Sequence, residues 1–122
     1  MQSPEHTLIA INHVRADRAD AFAQWLRSVV TPAVRDHQPH LSDRWRVLRG
    51  TETEDGEVVF AFLFDGGTDD DWDLSALLEK ALGPEDAERA LADMDQMLMQ
   101  DQYGWWFAPV RLDRPDSSAQ FS

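Results

Sequence analysis

An asparagine within an apolar strand is the first residue of this sequence whose type and position suggest chemistry. Alternation over residues 6–14 places Asn12 on the same strand face as Leu8, Ala10 and Val14. A carboxamide offers both a donor and an acceptor, so Asn12 could stabilise negative charge that develops on a phenolate or peroxy intermediate. The alternative is an amide that the backbone satisfies near the strand end, as is usual for buried polar groups. We predict Asn12 as a catalytic residue.

His13 is the residue best suited by type to act as a general base, because imidazole titrates near neutral pH. Strand alternation points it away from Asn12, toward the opposite face of the sheet. We therefore predict a structural histidine in an interface between two copies of the chain.

A second pair of histidines, His37 and His40, lies close in sequence to Asp36 and Asp43. Histidine and carboxylate are the metal ligands that remain in a chain without cysteine. The spacing of these residues around a proline is irregular, and short motif matches often arise by chance. The prediction is a solvated loop and no metal site.

Five tryptophans stand beside a single tyrosine, which is a high count for 122 residues. Trp25 is predicted as part of a helix core. The other four could form walls for a planar ligand, because aromatic faces stack well and the indole N–H gives a directional contact. The alternative is that they fill a barrel interior. We predict Trp72, at the mouth of the second helix, as a catalytic residue that stacks on the substrate, and Trp45 and Trp105 as substrate-binding residues.

Two arginines of the predicted second strand, Arg46 and Arg49, alternate onto opposite faces, so at most one can address a pocket on the helix side. A guanidinium pairs well with a carboxylate or enolate of a substrate, and Arg49 is predicted in that role. An ordinary salt bridge with the acidic surface is the alternative for either arginine.

The composition excludes several classes of function. Eleven basic against 23 acidic residues give a net charge of −12, which opposes binding to nucleic-acid phosphates. The absence of cysteine excludes disulfides, thiolate catalysis and thiolate-bound metal, and it agrees with a reducing compartment. The sequence has no signal-like start and no run of about 20 apolar residues, so we predict a soluble, cytoplasmic protein.

Seven consecutive apolar residues over Val58–Phe64, after a Glu54–Gly56 turn, indicate a strand with two buried faces. Thr68–Asp71 has the form of a capping box that starts the second helical element. Pro32 could kink the first helix. The predicted elements are a strand over 6–14, a helix from about Asp17 to His37, strands over Trp45–Arg49 and 58–64, a helical element over 68–98 broken at Gly83, and a strand over 103–112.

This order of strand, helix, strand, strand, helix and strand is that of the α+β ferredoxin-like βαββαβ fold, with both helices on one face of a four-stranded antiparallel sheet. Strands that are apolar on both faces would leave a large apolar patch on the uncovered face. Two copies packed through that face remove the exposure, so a homodimer is predicted. The domain is predicted over 1–112, with 113–122 as a flexible C-terminal tail.

In this arrangement the stretch Ile11–Arg15, followed by Asp20-Ala21-Phe22 and Trp25-Leu26, resembles the strand-to-helix transition of the antibiotic-biosynthesis-monooxygenase-like group in the dimeric α+β barrel superfamily. The resemblance covers residues 6–112. It implies a pocket in each copy, between the sheet and its helices, that binds a flat aromatic substrate such as a polyketide hydroquinone. It also implies oxygenation without metal or flavin, so no cofactor is predicted.

One branch of that group degrades heme, and Asn12 resembles its first-strand asparagine. That branch has a tryptophan at the end of the third strand, where this chain has Phe64, and a heme-ligating histidine on the second helix. All four histidines of this chain precede residue 41. Heme degradation is therefore disfavoured, whereas another mode of heme binding stays open.

The resulting prediction is a homodimeric, cofactor-independent monooxygenase that acts on a hydrophobic aromatic substrate, in which Asn12 stabilises negative charge and Trp72 stacks on the ring. A cyclase or isomerase that uses the same pocket without oxygen is the first alternative. The second is a non-catalytic binding or dimerisation module, which the lack of a well-placed acid-base pair favours.

Overall fold

The computed structural model of the protein describes residues 5–112, and the predicted tail 113–122 lies outside them. The order of elements in this range agrees with the predicted one. None of the described helices combines the length and the apolar character needed to cross a membrane. The elements are β1 (Thr7–Arg15), a 3₁₀ turn (Ala16–Arg18), α1 (Ala19–Trp25), a π-helical segment (Leu26–Val30), α2 (Thr31–His37), a 3₁₀ turn (Pro39–Leu41), β2 (Trp45–Arg49), β3 (Glu57–Asp65), α3 (Leu74–Leu82), α4 (Pro84–Met97) and β4 (Tyr103–Phe107).

The four strands form one antiparallel sheet in the order β2-β3-β1-β4, which is the ferredoxin-like topology predicted from the sequence. The central strands β1 and β3 pair along their whole length of nine residues. Asp55 and Gly56, between β2 and β3, have positive φ angles of 54° and 75°. Two such residues make a tight hairpin turn that follows the twist of the strands. The predicted turn is therefore confirmed.

One face of the sheet carries the core, and the helices pack on it. Phe22 of α1 is fully buried, with its ring centroid 5.0 Å from that of Phe60 and 6.2 Å from that of Phe62, both on β3. Leu78 of α3 is equally inaccessible. Trp25 belongs to the same cluster, as predicted, although its buried indole N–H has no hydrogen-bond partner. This packing fixes the helices on one side of the sheet.

The second face of the sheet, which we call the open face, carries apolar side chains that are accessible in the single chain. Trp105 is 61% exposed, and Leu48 and Phe107 are each 48% exposed. The prediction that β3 is apolar on both faces is confirmed by the strand register. The open face consists of Ile9, Ile11, His13, Leu48, Val59, Ala61, Leu63, Tyr103, Trp105 and Phe107.

A π-helical segment lies in the first long helix, just before Pro32, where the sequence predicted a possible kink. The N–H of Thr31 bonds to the carbonyl of Leu26, five residues earlier, just before Pro32. Proline has no N–H to offer to the carbonyl four residues before it, so the regular pattern must change near this position. The chain adapts by widening one turn, and the helix then continues to His37, where the predicted stop is confirmed.

The second helical element begins later than the capping-box pattern predicts. Thr68 donates from its N–H (2.9 Å) and its hydroxyl (3.3 Å) to Asp71 Oδ2, and the Asp71 N–H donates to Thr68 Oγ1 (3.4 Å). These bonds close a turn, but α3 starts at Leu74. The side chain that caps it is Asp73, whose Oδ1 accepts from the Ala76 N–H at 3.1 Å. The predicted helix start at residue 68 is therefore wrong.

Strand β4 is shorter than predicted, since it ends at Phe107 rather than Leu112. Phe107 pairs with Thr7, the first residue of β1, so no strand residue remains opposite the positions beyond it. Pro109 also has no N–H for a ladder hydrogen bond. The last five residues of the predicted strand consequently lie outside the sheet.

Gly104 of β4 pairs with Ala10 of β1, and we expect an alanine there to destabilise the fold. A Cβ at this position would meet the Ile9 carbonyl oxygen and would lie 2.9 Å from Ala10 Cα. These are backbone atoms, so the strands themselves must separate. Urea unfolding of Gly104→Ala should show a loss of about 1–3 kcal/mol, the usual cost of overpacking. Ser75→Ala, on the exposed side of α3, is the control; an equal stability of Gly104→Ala and wild type would contradict this account.

Candidate functional site

A cavity of about 80 Å³ lies between the helix-bearing face of the sheet and the helices α2 and α3. We call it the inner cavity. It is mainly apolar, and polar side chains enter its wall at three positions. The lining residues are Leu8, Ala10, Val30, Val34, Gln38, Leu41, Trp45, Phe62, Phe64, Asp71, Trp72, Leu74, Leu77 and Gln102.

The volume of the inner cavity limits what it can hold. Binding sites for drug-sized molecules usually measure about 300–1,000 Å³. At about 80 Å³ the inner cavity suits a small single-ring molecule or a few waters. A substrate with several fused rings would require the wall to move.

Asn12 lies behind the wall of this cavity and holds one of the polar residues that line it. Its side chain is fully buried, the only buried polar side chain among residues 5–112. Its Nδ2 donates to the Phe60 carbonyl (3.3 Å), and its Oδ1 accepts from Gln102 Nε2 (2.7 Å). Both ends of the Asn12 amide are thus engaged within the protein. Asn12 is placed to act through Gln102, which lines the cavity.

Trp72 lines the inner cavity, as its predicted stacking role requires. Its ring stacks on Phe64 with centroids 4.7 Å apart, and its indole N–H donates to the Gly66 carbonyl at 2.8 Å. Gly66 and Gly67 have φ angles of 74° and 77°, a conformation that glycine adopts without strain. The indole N–H is therefore used to hold the loop after β3, and Trp72 offers a ligand its ring rather than its hydrogen bond.

Trp45 extends this aromatic surface. It lines the cavity, and its ring centroid lies 6.2 Å from that of Phe64 in a stacked arrangement and 6.4 Å from that of Phe62 in an edge-on one. We call Trp45, Phe62, Phe64 and Trp72 the aromatic wall. Such a wall can hold a planar ring by stacking and edge contacts.

The other two predicted substrate-binding residues lie outside the inner cavity. Arg49 is on the helix side of β2, where its Nη1 donates to Asp20 Oδ1 at 2.9 Å and its guanidinium lies 5.6 Å from the Phe60 ring centroid. Arg46 occupies the opposite strand face, as alternation predicted. Trp105 lies on the open face. Asn12, Trp72 and Trp45 are thus brought together, and Arg49 and Trp105 are not.

His13 lies on the open face, pointing away from Asn12 as predicted. Its Nδ1 is hydrogen-bonded to Glu57 Oε1 (2.7 Å) and its Nε2 to the Tyr103 hydroxyl (2.9 Å). Its ring also stacks on Tyr103, with centroids 5.6 Å apart. These contacts join β1, β3 and β4 on one face and keep His13 away from the inner cavity.

No histidine lines the inner cavity. His37 ends α2 and His40 lies in the following 3₁₀ turn, both exposed. Within residues 5–112, no three histidine or acidic side chains are grouped closely enough to hold a metal ion. The lining residues therefore do not fit a histidine-bound heme.

The one carboxyl in the described chain with a resolved pKa shift is remote from the cavity. The Arg35 Nε donates to Asp36 Oδ1 (3.1 Å), and this hydrogen bond lowers the pKa of the Asp36 carboxyl. Both side chains are exposed on the last turn of α2. The pair is an ordinary surface contact.

Gln102 and Gln38 are the lining residues that sequence reasoning missed. Gln102 lies in the segment just before β4, and Gln38 follows the end of α2, so neither has a periodic pattern around it. Gln102 meets Asn12 across 90 positions of sequence. The only sequence signal for this contact was Asn12 itself, a polar residue on an apolar face that requires a partner.

Comparison with solved structures gives the same fold. A provisionally named antibiotic biosynthesis monooxygenase from Nitrosomonas europaea matches with a TM-score of 0.50 at 14% sequence identity, over 92% of this chain and 96% of that chain. This chain has the fold of that protein. Another provisionally named antibiotic biosynthesis monooxygenase, from Caulobacter crescentus, gives a TM-score of 0.48 at 15% identity, over 87% of this chain and 90% of its own. No family model and no curated protein matches the sequence.

The predicted resemblance to the antibiotic-biosynthesis-monooxygenase-like group is thus confirmed at the level of fold. A fold shared at this identity leaves the chemistry to be argued from the site itself. The site in question is the inner cavity, with its aromatic wall and the amide of Gln102 held by Asn12.

Proposed function

We propose that the protein is an enzyme that binds a small hydrophobic aromatic molecule in the inner cavity and oxygenates it with O₂, without a bound cofactor. The observation that carries this proposal is the fully buried Asn12, which holds the Gln102 amide at the wall of an otherwise apolar cavity. A buried polar residue whose partner faces a cavity is typical of a site that recognises one polar group of an apolar ligand.

In this mechanism the aromatic wall stacks on the substrate ring and the apolar lining keeps water away from it. The remaining N–H of Gln102 donates to the phenolate or peroxy oxygen that becomes negative during the reaction. For a phenol with a free para position, one oxygen atom of O₂ enters the ring as the second quinone oxygen. The other leaves as water with the ring hydrogen and the phenolic proton, and the four electrons gained by O₂ come from the substrate.

The volume of the inner cavity, about 80 Å³, favours a single-ring substrate. A polyketide-like substrate with several rings would require the loop between β3 and α3 to open. Among the contacts that hold this loop are the Trp72 N–H on the Gly66 carbonyl (2.8 Å), the Trp106 N–H on Asp69 Oδ1 (2.7 Å) and the Gly66 N–H on the His6 carbonyl (2.8 Å). Opening would therefore break these hydrogen bonds and the stacking of Trp72 on Phe64.

Oxygen uptake together with isotope labelling tests the proposed reaction. Single-ring phenols and hydroxynaphthalenes would be incubated with the protein under ¹⁸O₂, and the masses of the products would be measured by mass spectrometry. We expect one O₂ consumed and one ¹⁸O incorporated per product molecule. Product formed without oxygen uptake would instead support a cyclase or isomerase acting in the same cavity.

We expect Gln102→Leu to lower kcat/KM about 10²–10³-fold, the usual cost of removing one donor to a developing oxyanion. The change removes the amide and leaves an apolar side chain that is one bond shorter. Gln24→Leu, on the exposed side of α1, is the matched control. Steady-state kinetics on both variants checks this; an unchanged kcat/KM in Gln102→Leu would refute the role of the amide.

A non-catalytic binding module is the second candidate. The hydrogen bonds of Asp71, the one carboxylate that lines the cavity, favour this candidate. Asp71 Oδ2 already accepts two hydrogen bonds from Thr68. A carboxylate so engaged is a poor general base. Saturable binding of a phenol with no turnover under any oxygen pressure would support this candidate.

We further propose that two copies of the chain pair through the open face. Trp105 at 61% exposure and its apolar neighbours would otherwise form a wide accessible patch, which soluble monomers rarely show. Pairing would also cover the chain of hydrogen bonds from Glu57 through His13 to Tyr103. A location in the cytoplasm, expected from the sequence, stays a prediction.

A further inference from the structure

A second, larger hollow lies between the edge strand β2 and the helices α1 and α2 with the π-helical segment that joins them. We call it the arginine groove. Its volume is about 420 Å³, within the range of sites that bind small molecules. Its lining residues are Ala23, Leu26, Arg27, Thr31, Trp45, Arg46, Val47, Arg49 and Phe60.

Positive charge is concentrated in this groove, in a chain whose net charge is −12. Arg27, Arg46 and Arg49 all contribute to its lining, but Arg46 lies on the opposite face of β2, so the charges on the groove side are those of Arg27 and Arg49. Within residues 5–112, neither Arg27 nor Arg46 has a carboxylate within salt-bridge distance. Arg49 pairs with Asp20, whose side chain is 95% exposed, so this ion pair is weak and can be exchanged for a ligand. The guanidinium groups of Arg27 and Arg49 therefore remain available to an anion.

The floor of the groove is apolar and its outer side is a free strand edge. Phe60 is 2% exposed and carries the Arg49 guanidinium 5.6 Å above its ring centroid. The Arg44 carbonyl and the Gly50 N–H both bond to β3. Along an antiparallel strand, every second residue directs its N–H and C=O to the same neighbour. Arg44 and Gly50 direct theirs to β3, so Val47, which is out of phase with both, directs its N–H and C=O to the unpaired edge. The groove thus combines cations, an aromatic floor and free backbone donors.

We propose that the arginine groove is a binding site for a small aromatic carboxylate. The planar guanidinium fork matches the two oxygens of a carboxylate, and an aromatic body can lie on the apolar floor that Trp45 and Val47 form beside the buried Phe60. An acidic surface repels anions in general, so an anion held here must be selected by this local arrangement. The site is separate from the inner cavity and stands whether or not that cavity is catalytic.

Calorimetry with 1-naphthoate tests the proposal, with neutral 1-naphthamide and inorganic phosphate as comparison ligands. We expect one naphthoate to bind per chain. The affinity should be at least about 10-fold weaker for naphthamide, which lacks the charge, and for phosphate, which lacks the aromatic body.

Arg27→Gln and Arg49→Gln should each weaken naphthoate binding at least about 10-fold. Arg89→Gln, which removes an arginine paired with Asp86 on α4, should leave it unchanged.

Trp45 lines both the groove and the inner cavity, so a further variant separates the two sites. Leu74→Trp fills the inner cavity from α3 and should leave naphthoate affinity unchanged. The proposal is overturned by absence of saturable binding, by equal binding of naphthamide or phosphate, by an equal loss in Arg89→Gln, or by loss of binding in Leu74→Trp.

Discussion

Replacing Asn12 by aspartate is expected to destabilise the protein by about 3–5 kcal/mol at pH 8, the range measured when a buried charge loses its partner. The two side chains have almost the same shape, so packing is preserved. The carboxylate cannot donate to the Phe60 carbonyl, which the Asn12 Nδ2 contacts at 3.3 Å in a site with no accessible surface. The free energy of unfolding of a small domain is about 5–15 kcal/mol, so this substitution would remove a large fraction of it.

The effect of Asn12→Asp should depend on pH in a defined direction. Burial beside a carbonyl raises the pKa of the new carboxyl in the folded state above its unfolded value. Below the unfolded pKa the group is protonated in both states and can donate to Phe60, so the loss is then small. The loss grows as pH rises from the unfolded pKa toward the folded one, and it is complete above the latter.

Urea unfolding at pH 5 and pH 8 measures this dependence, with wild type at each pH as the reference. Gln24→Glu, an amide-to-acid change on an exposed helix face, controls for the added charge. We expect the deficit of Asn12→Asp to be larger at pH 8 than at pH 5, and the control to be nearly neutral at both. Equal stability of Asn12→Asp and wild type at pH 8 would contradict the buried hydrogen-bond network described for Asn12.

Ile11→Lys is expected to dissociate the proposed dimer while leaving each chain folded. Ile11 lies on the open face, opposite Ala61 on β3 and Tyr103 on β4. A lysine there stays solvated in the single chain but would be buried without a partner when two open faces meet. Since each copy carries the same charge, we expect the dimer Kd to rise at least about 100-fold.

Sedimentation velocity on wild type and variant checks this, with far-ultraviolet circular dichroism to show that the variant is folded. Ala76→Lys, on the exposed side of α3, adds the same charge away from the open face. A wild-type protein that is monomeric at micromolar concentration would refute pairing through the open face. A dimer that survives Ile11→Lys unchanged would place the interface elsewhere.

The topology could be predicted from the sequence because its signals are local. The apolar run that forms β3 shows its two buried faces in seven consecutive residues, and the Asp55-Gly56 turn marks the hairpin before it. Strand alternation likewise separated Asn12 from His13 correctly, since the side-chain period of a strand leaves no other choice.

The parts that could not be predicted depend on contacts between distant segments or on competition between neighbouring residues. Gln102 becomes part of the site only because Asn12 lies opposite it after folding, and no pattern near Gln102 indicates this. Two capping side chains, Thr68 and Asp73, compete for the start of α3, and the later one is used. Arg49 was expected in the pocket, but it ends β2, forms an ion pair with Asp20 and lines a different groove.

Calorimetric titration with single-ring phenols determines whether the inner cavity binds a small aromatic molecule. The proteins compared would be wild type, Leu74→Trp, which fills the cavity, and Leu82→Trp, which adds the same ring at an exposed position of the same helix. We predict saturable binding of one phenol per chain to wild type and Leu82→Trp, and none to Leu74→Trp. Equal binding to all three proteins, or no saturable binding to wild type, would contradict the account.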